Sequence, residues 1–206
     1  MKKLVLGLAV LFGFNIMAFS LEEASLSMGG NVGNFNYNVT DMGKFQVSSL
    51  GVNLGGYLFP VEHFGVFFNY GLLFPVYNTM ENNYKPMIQN DFLLGPGFKL
   101  NIIEKLDIVL GFGFHMNLLS FDGEDNRISF GIGGDVGIRY QFTDVIYIIG
   151  GSTVTWDPTF IRMDNSVPAK NWENTSITND GIAPYSPIGF RQHIAIGFKI
   201  GKGNNK

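Results

Sequence analysis

The sequence predicts an all-β fold: an eight-stranded antiparallel up-and-down transmembrane β-barrel with short periplasmic turns and longer outer loops. Three observations carry this expectation. Apolar residues alternate with small or polar ones in eight successive segments. The connections between the segments are sorted by length, long alternating with short. A segment with the layout of an export signal precedes them all. Period-two alternation places successive side chains on opposite faces of a strand, and no segment carries the 3.6-residue stripe of an amphipathic helix.

Composition narrows the class. The 206 residues are 46% hydrophobic and only 15% charged, against about 25% charged in an average globular protein. With 20 Phe and 27 Gly the chain is too aromatic and too weakly charged to be disordered. A net charge of −3 without basic clusters gives phosphate backbones nothing to hold, so no nucleic-acid partner is expected. The absence of cysteine excludes a disulfide scaffold, a zinc–cysteine site and a thiol nucleophile.

Lys2 and Lys3 form a basic start, residues 4–14 are an uncharged apolar run, and Ala18 and Ser20 stand at −3 and −1 of a small-residue cleavage site. This is the pattern of a secretory signal peptide, with a core too short to span a bilayer as a helix. Residues 1–20 are therefore expected to be removed, leaving 21–206 as a single barrel domain. Losing Lys2 and Lys3 moves the net charge from −3 to −5. No later stretch holds 18 consecutive apolar residues, so strands rather than helices would cross the membrane.

The strands follow in order. Residues 24–32 begin the series, with a register that fades among Asn and Gly. Residues 50–58 and 64–76 are cleaner, and 92–102 cleaner still. In 106–118 the even positions Leu106, Ile108, Leu110, Phe112, Phe114, Met116 and Leu118 are all apolar, while Asp107, Gly111, Gly113, His115 and Asn117 fill odd ones. Residues 128–142 repeat the pattern. Residues 145–156 are apolar on both faces, which leaves their sides unassigned, and 188–200 close the series. The connections around 40–44, 78–86, 121–127 and 157–187 are long. Those at 60–63, 103–105 and 143–144 are short. Such sorting fits a barrel inserted through a membrane from one side.

The apolar face decides what surrounds the barrel. Turned inward, several Phe, Leu and Ile per strand would crowd a lumen barely wide enough for side chains. Turned outward, they meet lipid, and glycine with a few polar groups fills the interior. Phe45, Phe59, Phe64, Tyr77, Phe121, Phe142, Trp156 and Phe190 lie near strand ends, where interfacial aromatic rings are expected. A soluble extracytoplasmic β-barrel binding protein is the alternative at the level of fold.

The signal, the eight alternating strands and the graded loops resemble the small eight-stranded outer-membrane barrels of the OmpX, OmpA-transmembrane and OmpW type. The resemblance covers residues 21–206 and is one of pattern. It implies insertion in outer-membrane lipid of a bacterial cell, and a structural or surface role. One departure is that Phe198 and Ile200 end the last strand and a polar tail, 201–206, follows.

The inward set carries the rare charges: Asp91, Lys99, Asp107, His115, Asp135, Arg139, Arg191, His193 and Lys199, with Asn53, Tyr57, Asn69 and Asn117. Strand direction places Lys99, Asp107, Arg139 and Lys199 toward the periplasmic end and the others higher. Isolated charges in a narrow lumen are costly, so they should pair and form a polar plug. A narrow pore for ions or small solutes is the other reading, and it expects conductance to rise when Arg139 is removed. Pro75 and Pro96 cannot donate to a ladder and should each open a local gap in the wall. In the OmpW type such gaps imply lateral exit of small apolar molecules, which would need an apolar lumen.

No enzyme, cofactor or metal is expected. His115 and His193 with Asp91 or Asp135, and Ser129 as hydroxyl, are the residues a hydrolase would use, but no motif joins them. Asp122, Glu124 and Asp125 form an acidic loop tip that reads as solvated. The run 131–137 lacks the third glycine of a phosphate loop and precedes no helix. Two sequons, at Asn38 and Asn174, carry little weight behind a bacterial-type signal. In the long loop, Arg162, Lys170, Trp172 and Tyr185 are the candidates for contact with a surface partner.

Overall fold

The computed structural model describes residues 21–39, 43–80, 85–122, 126–163, 177–179 and 188–201. Nine strands lie among them: β1 (Glu23–Val39), β2 (Gly43–Val61), β3 (Phe64–Asn78), β4 (Pro86–Ile103), β5 (Leu106–Phe121), β6 (Asn126–Gln141), β7 (Ile146–Met163), β8 (Ile177–Asn179) and β9 (Ile188–Gly201). There is no helix among the described residues.

Every pairing is antiparallel, and each strand through β7 pairs with the next. β9 joins β7 to β1 and closes the ring. The three residues of β8 pair with Ile161–Met163 beyond the ring. The closed barrel therefore has eight strands.

Its shear follows from the register. Stepping from Phe64 through Cα partners leads to Phe98, Leu110, Val136, Ser152, Gln192, Val32, Leu50 and back to β3 at Phe74. The circuit returns ten residues along the same strand. At a rise of about 3.3 Å per residue and a strand spacing of about 4.8 Å, this requires a tilt of about 41°. The segment from Phe64 to Phe74 then spans about 25 Å of the barrel axis, the height of a lipid-facing band.

The outer face of that band is predominantly apolar all round the barrel. Met28, Val32, Val52, Phe112, Ile138, Val154, Ile194 and Ile196 are exposed. A soluble barrel would turn such a face to its core, so this barrel is transmembrane. In β7 the inward side chains are Tyr147, Ile149, Thr153, Thr155 and Asp157, while Ile148, Val154 and Trp156 face out.

Three residues expected in interfacial rings point the other way. Phe45, Phe59 and Phe121 fall on the inward parity of their strands and are buried. Phe64, Tyr77, Phe142, Trp156 and Phe190 are exposed on the outside. Proximity to a strand end did not distinguish the two sets; the side of the sheet did. The run 131–137 lies inside β6 and is strand rather than loop.

The ladder is irregular at both prolines. Pro75 pairs with Ser49 beside a register shift that skips Val76. Pro96 pairs with Val66 on β3, while the β4–β5 ladder passes from Leu94↔Phe114 to Gly97↔Gly111 without pairs between. In that interval Gly95 and Gly113 approach the opposite strand closely. A Cβ on Gly95 would lie 2.1 Å from the Phe112 carbonyl oxygen, and one on Gly113 2.0 Å from that of Leu94. Behind this break Phe67 and Leu93 are buried in the lumen, so the gap opens on packed side chains.

Candidate functional site

The lumen is the candidate site, and it is built in layers. The end carrying the short turns is called here the turn end, and the opposite one the loop end. At the turn end Arg139 is fully buried and central. Its Nε and Nη2 donate to Asp107 Oδ2 at 3.1 and 2.7 Å, and Nη2 donates to Glu23 Oε2 at 3.1 Å. Its Nη1 is bonded to the other Glu23 oxygen. Lys99 Nζ donates to Glu23 at 2.9 Å, Gln141 Nε2 to Asp107 at 2.7 Å, and Lys199 Nζ to Gln141. The guanidinium also sits 5.2 Å from the centre of the Tyr147 ring.

Above this cluster the lumen is filled by Tyr57, Phe59, Phe67, Leu93, Val109, Tyr147, Ile149 and Ala195. Glycines on nearby strands make the room. A Cβ on Gly111 would come within 2.4 Å of the Phe67 ring, and one on Gly197 within 2.2 Å of the Tyr147 ring.

A second polar layer follows. Asp135 accepts from Asn69 Nδ2 at 3.1 Å, Thr153 Oγ1 at 2.6 Å and Tyr57 Oη at 3.3 Å, and His193 Nδ1 lies 3.9 Å away. Arg191 crosses the lumen. Its Nη2 donates to Asn69 Oδ1 at 2.8 Å, and its Nη1 is 3.2 Å from Asp91 Oδ1.

His115 stands between two carboxylates, with Nε2 at 2.8 Å from Asp91 and Nδ1 at 2.6 Å from Asp157. Two acceptors flank the ring, and both are satisfied when both nitrogens carry protons. Asn117 Nδ2 donates to Asp91, and a chain of Ser49, Gln89, Tyr37 and Asn117 continues the network across the barrel. At the loop end Phe35, Tyr37, Phe45, Val47, Leu73, Leu119 and Phe121 form a second apolar layer.

The inward charges read from the sequence thus fall into two groups. Lys99, Asp107, Arg139 and Lys199 meet at the turn end, whereas Asp91, His115, Asp135, Arg191 and His193 meet higher up. Three buried charged residues escaped that reading: Glu23, Arg127 and Asp157. Glu23 precedes the first clear alternation. Asp157 and Arg127 fall within the loops the sequence pattern predicts, whereas β7 runs on to Met163 and β6 begins at Asn126. Parity was the available signal, since Asp157 continues the odd series of Thr153 and Thr155. With them, and counting the half-buried Lys199, the described residues put five acidic and five basic side chains in the lumen besides two histidines.

The candidate hydrolase residues do not form a nucleophile–base pair. Ser129 Oγ donates to Asp157 Oδ2 at 2.6 Å and makes no bond to His115. Arg162 lies on β7, and its side chain is outside the described residues, as are Lys170, Trp172, Tyr185, Glu124 and Asp125.

Closure, shear and an apolar outer belt define the class: a small transmembrane β-barrel of eight strands. Solved structures of the same fold exist. Neisserial surface protein A is similar at a TM-score of 0.57 and 10% identity, over 86% of this chain and 96% of its own. The outer-membrane protein OprG from Pseudomonas aeruginosa matches at 0.55 and 9% identity, covering 88% of this chain and 97% of its own. The outer-membrane protein AlkL, solved in lipid bilayers, matches at 0.57 and 14% identity, covering 91% and 94%. No protein-family model matches the chain, and no curated protein matches it in sequence.

Proposed function

We propose that the protein is a bacterial outer-membrane barrel, exported by a cleaved signal at 1–20, with a plugged lumen and a structural or surface-interaction role carried by its loops. The observation that carries this reading is the double apolar layer. Phe59, Phe67, Tyr147 and Ile149 close the turn-end half and Phe35, Val47, Leu73 and Leu119 the loop end, all at 3% exposure or less. The likeness in fold to a Neisserial surface protein and to two outer-membrane proteins supports the location. A partner would meet Arg162 near the end of β7 and Lys170, Trp172 and Tyr185 beyond it.

A narrow pore is the second reading. It is favoured by the polar layer between the apolar ones, where Asn31, Asn53 and Arg191 Nε present buried polar atoms with no protein hydrogen-bond partner. Such atoms are the kind that water or a small polar solute satisfies. Planar-bilayer recording of the refolded 21–206 chain separates the two, with a gel-mobility shift on boiling as proof of folding. Silence from inserted protein is the expected result. Reproducible unitary steps would replace the plug by the pore.

A further inference from the structure

Among the described residues, the outer face holds one polar feature without a partner inside the lipid-facing band. Ser152 on β7 and Gln192 on β9 are Cα partners, and both side chains point to lipid. Neither makes a side-chain hydrogen bond to any described residue. Other polar groups on this face do: Tyr70 Oη donates to Asn90 at 2.7 Å, and Gln46 Nε2 to Asn34 at 2.7 Å.

The shear fixes their depth. On the register path from Phe64 to Phe74, Ser152 is the fourth of eight steps and Gln192 the fifth. Each step climbs about 3 Å at a 41° tilt, so both side chains lie within a few ångströms of the middle of the 25 Å band. Along β9 the outward neighbours of Gln192 are Phe190 and Ile194, so the amide is bracketed by apolar groups. No lipid headgroup and no water reaches that depth, and a glutamine side chain is too short to climb out. Beyond the single hydroxyl of Ser152, which cannot satisfy both ends of the amide, only another protein offers it hydrogen bonds there.

The relief of the surface admits one. Ile194, next along β9, pairs with Gly30 on one side and Gly150 on the other. These missing side chains leave a dent beside Gln192, bounded by Val32 and Leu50. A primary amide carries both donors and an acceptor, so two copies of Gln192 related by a twofold axis satisfy each other. We propose that β7, β9 and β1 form a self-association face, and that the barrel pairs with a second copy of itself through Gln192 at the membrane midplane.

The chain has no cysteine, so a single introduced one reports contact between copies alone. Ile194→Cys marks the proposed face. Leu94→Cys marks β4, the opposite wall at nearly the same depth. Each is refolded into phosphatidylcholine vesicles at high lipid excess and oxidised. Covalent dimer at least fivefold above that of Leu94→Cys is expected from Ile194→Cys. Adding Gln192→Leu, which suits lipid and so leaves the barrel folded, should lower that yield at least fivefold while the gel-mobility shift on boiling persists. Equal yields from the two faces, or a yield unchanged by Gln192→Leu, would overturn the proposal.

Discussion

Arg139 offers the most direct test of the proposed polar plug. Replacing it by Met keeps a long side chain of similar reach and deletes one buried charge. Three of its bonds, at 2.7 to 3.1 Å, and a fourth to Glu23 disappear together. Breaking a buried pair by removing one partner costs about 3–5 kcal/mol, because the other charge stays in a dry site. Here neither carboxylate is stranded: Glu23 keeps Lys99 at 2.9 Å and Asp107 keeps Gln141 at 2.7 Å. The expected loss is therefore near the low end, about 3 kcal/mol.

A double-mutant cycle isolates the pair. In a Glu23→Gln background the same Arg139→Met change should cost about 1 kcal/mol, giving a coupling of about 2 kcal/mol. Reversible urea unfolding in vesicles, followed by tryptophan fluorescence, measures both. A single-variant loss under 1 kcal/mol, or strict additivity in the cycle, would refute the network. The same variant divides the two readings of the lumen. If the apolar layer seals the barrel, Arg139→Met stays silent in planar bilayers. If Arg139 is the only obstruction, it conducts.

Other expectations follow from the same packing. Gly111→Ala should destabilise by about 1–3 kcal/mol through collision with the Phe67 ring, and Phe67→Leu in the same chain should recover much of that loss in the urea midpoint. Gly95→Ala should be worse tolerated than Gly134→Ala, because its Cβ meets a backbone oxygen at 2.1 Å whereas that of Gly134 has 3.6 Å of clearance; the yield of heat-modifiable barrel on refolding is the readout. Asp157→Leu should cost about 3 kcal/mol by leaving His115 and Ser129 without their shared acceptor; a loss under 1 kcal/mol would mean that Asp91 alone holds the histidine. Deleting residues 164–176 should leave the gel-mobility shift intact, and retained binding of a surface partner would move its site off that loop.

Much of this architecture was legible because a membrane barrel writes itself in parity. The odd series Asp107, Val109, Gly111, Gly113, His115 and Asn117 specifies one face of β5 whatever the neighbouring strands do. Where parity was blurred, the reading stopped. Tyr147 and Ile149 are apolar yet inward, and in an inside-out protein an apolar residue on the lumen side has no distinguishing mark. The same ambiguity hid Phe45, Phe59 and Phe121, whose rings fill the lumen instead of girdling the outside. Asp157 was lost for a different reason: β7 outruns its apolar run, since past the lipid band its outer residues no longer need to be hydrophobic. The pairing of Arg139 with Glu23 lies 116 residues apart along the chain. It depends on the tilt and stagger of the closed ring, which no local pattern encodes.

Glycine abundance bears on the lumen in a way that composition alone misstates. A barrel of eight strands lined by glycine reads as hollow. In this ring the inward glycines are spent against particular large neighbours: Gly111 under Phe67, Gly197 under Tyr147, Gly71 under the Arg191 guanidinium, Gly137 against Ile149 and Gly189 against Phe35. Each large side chain lies over a position without a Cβ: Gly197 and Gly189 are the Cα partners of Tyr147 and Phe35 on neighbouring strands, whereas Arg191 crosses the lumen to Gly71. The glycines and the bulky residues are thus two halves of one packing, and removing a single ring leaves space beside a glycine that nothing else can fill. A pore through this barrel would need several such pairs to separate together at both apolar layers. Thermal motion of one arginine is not enough, which is why conductance should respond to paired truncations with one in each layer, such as Phe67→Ala with Phe35→Ala, before it responds to the loss of any one charge.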